Sequence, residues 1–383
     1  MRAAVARRNR LEVSELPDPV PGPGQVLVRT AACGICGSDL HALSDFERFV
    51  ELSRRAGAPG STAPRGSDAQ GAKSTEVDNG TGEGPESCMV FGHEFCAEVL
   101  EHGPSTERTI AEGRFVCSFP VVFGPVGPEP IGYSNLYPGG LGELMILQEM
   151  LMLPVPEGVT GAQASLTEPM AVGEHAAAIG SPEPGDVCLV IGCGPVGLAV
   201  VSALRARGLG PILAADFSPA RRRLAELLGA DEVFDPAETS PHARWADLGV
   251  PVTIAERAAF GMLGQKTKKA IVFEAVGLPG VLQTIIDAAP PATRVVVVGV
   301  CMKPDTIEPF IAVTKELELL FSFAYSPDEF AATLRRIGEG EIPCDELITS
   351  RVSLDDVSKA FEELANPNQQ GKIVVIPGSE QVA

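Results

Sequence analysis

"VCLVIGCGPVGLAVVSAL", residues 187–204, decides how the chain is read. As one apolar run it nears the length that crosses a membrane. The Gly-x-Gly-Pro interruption divides it instead into a buried strand, a tight turn and a helix. Gly192, Gly194 and Gly197 stand in Gly-x-Gly-x-x-Gly spacing, a weak pattern alone that gains meaning from the strand before it and the helix after it. Gly192 permits the turn, Gly194 lets a pyrophosphate approach the backbone, and Gly197 allows the helix to pack closely on the sheet. Pro195 and Val196 open the helix, whose free N–H groups and partial positive charge suit phosphate. The bland alternative is a tight strand-to-helix turn with no ligand. Asp216 ends the next strand, "PILAAD" (211–216), 19 residues past Gly197. A carboxylate there accepts hydrogen bonds from ribose hydroxyls and repels a 2′-phosphate, which favours NAD over NADP. Arg221 and its neighbours Arg222 and Arg223 point the other way, since an Arg cluster beside the ribose suits that phosphate.

Outward from this stretch the chain divides by style. After Gly180, strands alternate with helices, which predicts a doubly wound parallel sheet. In "SPARRRLAELLGA" (218–230), Ser218 suits the cap, Pro219 the first helical position and Gly229 the end. Residues 1–150 are β-rich, with short runs such as "QVLVRTAA" (25–32) separated by Gly and Pro. "LPVPEGVT" (153–160) reads as a connector. "SLDDVSKAFEEL" (353–364) is an amphipathic helix, and "GKIVVIPG" (371–378) a strand that returns to the first domain. The expected division is 1–155 with 325–383, against 156–324.

The 383 residues carry a net charge of −20, which argues against nucleic acid and anionic membrane surfaces. Nine scattered Cys form no dense disulfide framework. "MRAAVARRNRLEV" is not followed by an apolar run, so no secretion signal is read. A cytoplasmic protein with free or metal-bound thiols is the expectation.

Two phrases carry the chemistry, "CGICGSDLH" (33–41) and "FGHEFCAEV" (91–99). Cys36 and His93 are candidate metal ligands, with Glu94 beside His93 and Glu168 in "TEPMAVGEHA" (167–176). Spacing alone leaves Cys33 and Cys36 equally readable as a redox pair or two buried thiols, and His93 as a core histidine. Among the aromatics, Phe46, Phe49, Phe119, Phe123 and Tyr133 read as pocket or core, and nothing in the sequence ranks them.

These phrases, with "PGGLGEL" (138–144) and the glycine loop in the same order, resemble the zinc-dependent medium-chain dehydrogenase/reductase family of alcohol, polyol and threonine dehydrogenases. The resemblance covers nearly the whole chain. It implies a β-rich GroES-like catalytic domain beside a Rossmann coenzyme domain, and an NAD- and zinc-dependent alcohol dehydrogenase acting on a secondary alcohol or polyol. Cys36, His93 and Glu168 match the catalytic zinc ligands, and Glu94 the neighbouring Glu that coordinates directly in some members. Asp39 matches the carboxylate that orients the histidine, and Ser38 and His41 match the proton relay. Two other readings stand beside this one: a zinc-free reductase of the same superfamily, and a non-enzymatic dinucleotide-binding protein. The intact Cys36, His93 and Glu168 argue against the first.

The chain departs from the family in two places. Between Glu94 and Pro130 it has only Cys96 and Cys117, too few for the four-Cys structural zinc of many members, so one zinc per subunit is expected. Residues 43–87 read as an insertion. Its polar part, 57–87, is read as a loop that is either a surface excursion or a lid or oligomer contact, and 43–57 as holding a short helix. The apolar "LELLFSFAY" (317–325) is expected at a sheet edge, covered by a second subunit in a homodimer or homotetramer.

Overall fold

The computed structural model describes residues 1–7, 9–55, 88–125, 127–364 and 371–378. The segment 57–87, with its proposed lid, lies outside the described residues. The chain forms two compact units. The first gathers Met1–Leu166, the segment that starts at Ser350, and the strand Lys372–Ile376; the second is built on Thr167–Thr349.

In the first unit the strand Gln25–Gly34 is the organising element. It runs antiparallel to Glu94–His102 on one side and to Leu144–Gln148 and Lys372–Ile376 on the other. With partners on both edges, its Val26, Val28, Ala32 and Cys33 lose all contact with water. The register sets Gly34 opposite Glu94 and next to Val374. The chain then leaves the sheet through Ile35 into the helix Gly37–Ser44. The expected short helix follows as Phe46–Arg55. Its Phe46 sits in the core with Phe91, Phe95 and Leu141, and Phe49 and Val50 pack against that core. Val357, Ala360 and Phe361 of the helix Val357–Leu364 fill the same core; the residues just before them, Leu354–Asp356, form a separate short turn of 3₁₀ helix.

The second unit is a parallel sheet of six strands. Across the sheet run Glu232–Phe234, Ile212–Ala215, Val187–Ile191, Ala270–Glu274, Arg294–Val297 and Glu318–Phe321. In chain sequence that is the third, second, first, fourth, fifth and sixth strand, the Rossmann order. Residues 187–190, 212–215 and 270–274 are buried without alternation, as strands covered on both faces must be. The helix Pro219–Leu227 starts as read: the Ser218 hydroxyl accepts from Arg221 N, and Gly229 past its end has φ +108.

The units divide at 166/167 and 349/350, later than the sequence reading in both places. The first shift has a packing cause. Thr160 and Gln163 close a capping box on the short helix Gly161–Ala164, whose Ala162 and Ala164 are buried and which packs on Gln25–Gly34. The second shift is the helix Pro327–Gly338. Phe330, Leu334 and Ile337 are buried, the helix packs on Thr167–Gly180, and Arg336 reaches Glu174 at 3.2 Å.

Trp245, the single tryptophan of the sequence, is buried in the second unit's core, so its emission reports on that unit. Phe273 is fully buried in the central sheet, against Gly180. Phe273→Ala should destabilise the second unit by about 3–5 kcal/mol, read as a shift of the urea midpoint of Trp245 emission.

Candidate metal and coenzyme sites

Cys36, His93 and Glu94 converge in the first unit. One ligand atom from each lies within 4.8 Å of the other two. The fold explains the meeting. Cys36 immediately precedes the helix Gly37–Ser44, just past the end of Gln25–Gly34, and His93 and Glu94 stand where the neighbouring strand Glu94–His102 begins. Gly92 turns the chain into that strand with φ +106, and a Cβ there would meet Cys33 Sγ and Leu141 N at 2.7 Å. The loop "PGGLGEL" lies flush against this turn: Gly139 N donates to Val90 O, Gly140 N to Gly92 O and Leu141 N to Phe91 O, at 2.8–2.9 Å.

Asp39 lies at the centre of the cluster with no exposure. Its Oδ2 accepts from Cys36 N at 3.0 Å, closing the helix start, and its Oδ1 is 3.5 Å from His93 Nδ1 and 2.9 Å from Tyr133 Oη. Tyr133 Oη is also 2.8 Å from Ser38 Oγ, and its ring leans on His93 at a centroid distance of 5.1 Å. Burial, reinforced by Asp39 and Cys36, pushes the Tyr133 phenol well above its usual 10. His41 is three residues past Ser38, on the same face of the helix. Burial lowers the His41 imidazole from its ordinary value, so at neutral pH it is the free base and a proton acceptor.

Glu94 is fully buried, and its counter-charge is Lys372, 3% exposed. Lys372 Nζ donates to Glu94 Oε1 at 2.6 Å and to Ile35 O at 3.1 Å, and lies 2.5 Å from Glu94 Oε2. Gly34 makes room for this pair: a Cβ there would strike the Glu94 carboxylate.

A sulfur, an imidazole nitrogen and a carboxylate oxygen are the donor types zinc takes, and the local charge favours a cation. Burial alone would lower the His93 imidazole, but Asp39 and Cys36 outweigh it and raise it well above 6.5. Cys33 is different. Burial, then Asp39 and Glu94, raise its thiol well above the ordinary value, which leaves it a protonated core group. Cys96 and Cys117 are likewise fully buried, and Cys117 Sγ donates to Ala164 O at 3.2 Å. Glu168 belongs to the second unit, in the first turn of the helix Thr167–Gly180.

In the second unit the glycine loop has the form a dinucleotide needs. Gly192 has φ +91, and a Cβ on Gly197 would strike the Gly192 carbonyl. A Cβ on Gly194 would meet nothing within 4 Å, so the space before it is open. Gly194 caps the helix Pro195–Ala206 with no side-chain bond to its first N–H groups, Val196 among them, which leaves those donors for phosphate. Asp216 Oδ2 accepts from Cys193 N and Oδ1 from Ser218 N, both at 2.8 Å, which fixes the carboxylate beside the loop. Arg222 is committed to Asp216 O, Phe217 O and Asp235. Arg221 stands 3.9 Å from Asp216, close enough to soften its charge without replacing it.

Tyr133 and Lys372 are the residues that sequence reasoning left without a role. The signal for Lys372 was a lysine at the head of an apolar strand, "KIVVI".

Comparison with known proteins finds family matches in both parts of the chain. The family described as alcohol dehydrogenase GroES-like domain covers residues 22–157, and that described as zinc-binding dehydrogenase covers 195–339. The chain is 31% identical over 377 residues to the (R,R)-butanediol dehydrogenase of Bacillus subtilis, across 96% of each chain. It is 25% identical to the sorbitol dehydrogenase of the same organism, across 98% of this chain and 97% of that one. The crystal structure of 2R,3R-butanediol dehydrogenase from Bacillus subtilis superposes with a TM-score of 0.72 at 29% identity, covering 98% of this chain and 99% of that one.

Three substitutions test the geometry. Lys372→Met leaves Glu94 buried without its counter-charge and should cost about 3–5 kcal/mol in chelator-treated protein, followed by far-UV circular dichroism in urea. Glu94→Gln added to it should recover most of that loss. Asp216→Ala should lower kcat/KM for NAD about 10- to 100-fold, the worth of one or two hydrogen bonds to a charged group, and lower that for NADP far less.

With family models over residues 22–157 and 195–339 and a 31% identical relative matched across 96% of each chain, the chain belongs to the zinc-dependent medium-chain dehydrogenase/reductase family and is a zinc- and NAD-dependent alcohol dehydrogenase.

Proposed function

We propose that this enzyme oxidises vicinal diols and related polyols at a secondary hydroxyl, with one catalytic zinc per subunit held by Cys36, His93 and Glu168. The observation that carries the reading is the buried cluster of Cys36, His93 and Glu94 around Asp39, in a chain matched end to end by a butanediol dehydrogenase. Zinc, when bound, supplies Lewis acidity toward the substrate oxygen, and NAD accepts the hydride. The chain's own groups manage the proton. Asp39 holds His93 and the Cys36 backbone in place. Ser38 Oγ takes the substrate's hydroxyl proton, and His41, kept neutral by its surroundings, passes it toward solvent. Lys372 balances Glu94, which leaves that carboxylate beside the ligands without adding an uncompensated charge.

The proposal includes a cytoplasmic homodimer or homotetramer. Glu318–Phe321 is the edge of its sheet, and Phe321 and Phe323 are 72% and 88% exposed, an apolar edge that a second copy would cover. No described helix is long and apolar enough to cross a membrane.

The test is a rate profile over (R,R)- and meso-butane-2,3-diol, sorbitol, xylitol, threonine and primary alcohols, with metal analysis. Fastest turnover on a diol or polyol with NAD, about one zinc per subunit and loss of activity on chelation are expected. Preference for threonine or a primary alcohol would overturn the substrate class. Full zinc content in Glu168→Ala would overturn the ligand assignment.

A further inference from the structure

We propose that Tyr133 is a positioning residue that orients the Ser38 hydroxyl so that its oxygen faces the substrate as a proton acceptor. The inference rests on the reading of Ser38 as first acceptor of the substrate's proton. It begins with a count of hydrogens. Tyr133 Oη is 2.8 Å from Ser38 Oγ and 2.9 Å from Asp39 Oδ1, yet a phenol has one proton to give. Asp39, as a carboxylate, only accepts, and a bond to a charged acceptor is the stronger. The phenol proton therefore goes to Asp39, and the phenol oxygen is left to accept from Ser38. The chain of bonds runs from Ser38 through Tyr133 to Asp39, with each donor strengthening the next. Ser38's only proton is then spent on Tyr133, and the remaining lone pairs of its oxygen are free for the substrate hydroxyl.

The surroundings hold this direction. The ring of Tyr133 is wedged between Phe49 at 5.0 Å, His93 at 5.1 Å and Phe91 at 6.0 Å, centroid to centroid, so it has no room to swing its oxygen away. Asp39 is fully buried, and Cys36 N holds its other oxygen, so the acceptor end of the chain is fixed as well. Ser38 never holds two protons: as it takes the substrate's proton it releases one toward His41, so it ends as the neutral hydroxyl it was, and His41 carries off the proton the substrate lost. Without the phenol oxygen, Ser38 is free to turn its own proton toward the substrate and oppose the transfer.

Tyr133→Phe removes the oxygen and keeps the ring. With NAD and the fastest diol of the panel above, it should lower kcat about 10- to 100-fold, the worth of one hydrogen bond to a charged group, with KM within about threefold of the parent. Added to Ser38→Ala, it should have no further effect, because the hydroxyl it directs is gone. Zinc affinity by chelator competition should stay within about threefold of the parent, as expected if the phenol directs Ser38 rather than supports the ligands. Unchanged kcat in Tyr133→Phe would overturn the proposal, as would effects that multiply in the double variant or a large loss of zinc affinity. If Ser38→Ala itself keeps full kcat, the reading of Ser38 fails, and the proposal fails with it. If Ser38→Ala is slow but Tyr133→Phe is not, only the role of Tyr133 falls.

Discussion

A carboxylate with no exposure and an ammonium with almost none face each other in the first unit, and much of that unit is organised around keeping them paired. Glu94 and Lys372 are separated by most of the chain, yet Lys372 Nζ reaches both oxygens of Glu94. Either charge left alone in that position would be strongly destabilising. The pair therefore ties the strand carrying His93 and Glu94 to the last strand of the sheet, with Gly34 between them as the one residue small enough to let the carboxylate lie across the backbone. The return of the C-terminal strand to the first unit brings the charge that permits an acidic group to be buried beside the ligands.

A second buried carboxylate, Asp39, does for the other ligand what Lys372 does for Glu94. It accepts from the backbone N–H of Cys36, stands beside His93 and takes a bond from Tyr133. One short helix start thus sets the position of the Cys36 sulfur, the setting of an imidazole and the acceptor end of a hydroxyl chain. Burial separates the two neighbouring thiols. Cys33, three residues before Cys36, faces the same carboxylates from inside the core and stays protonated. Cys36 is only half-buried, at the head of the helix, where a thiolate can meet a cation.

What could be read in the sequence was what neighbouring residues settle among themselves. The glycine loop, the cap at Ser218, the helix at Phe46–Arg55 and the run from Cys36 to His41 are each local, and each was legible as such. The pairing of Cys36 with His93 was legible only through family resemblance, because the two lie 57 positions apart and no periodicity spans them. Tyr133 and Lys372 were illegible for the same reason in stronger form. Their roles depend on strand register and on ring packing among Phe49, Phe91 and His93, which no short window contains. The compact units divide later than the sequence reading because two helices that reading did not single out each pack within one unit. Gly161–Ala164 packs on the central strand of the first unit, and Pro327–Gly338 packs within the second.

The two units handle charge differently, and the difference follows from what each must bind. The first collects acidic groups, balances one with Lys372, and leaves a residual negative field that raises the imidazole of His93 and suits a divalent cation. The second keeps the Asp216 carboxylate fixed beside the glycine loop, held by two backbone N–H groups, and leaves the helix start before it uncapped. Backbone donors and a helix terminus bind phosphate without a side-chain cation. That is why Arg222 can be committed to the backbone carbonyls of Asp216 and Phe217 and to the side chain of Asp235 while the loop keeps its affinity for a pyrophosphate. A nicotinamide cofactor lacking the 2′-phosphate fits this arrangement because the Asp216 carboxylate is fixed beside the glycine loop while Arg222 is engaged elsewhere.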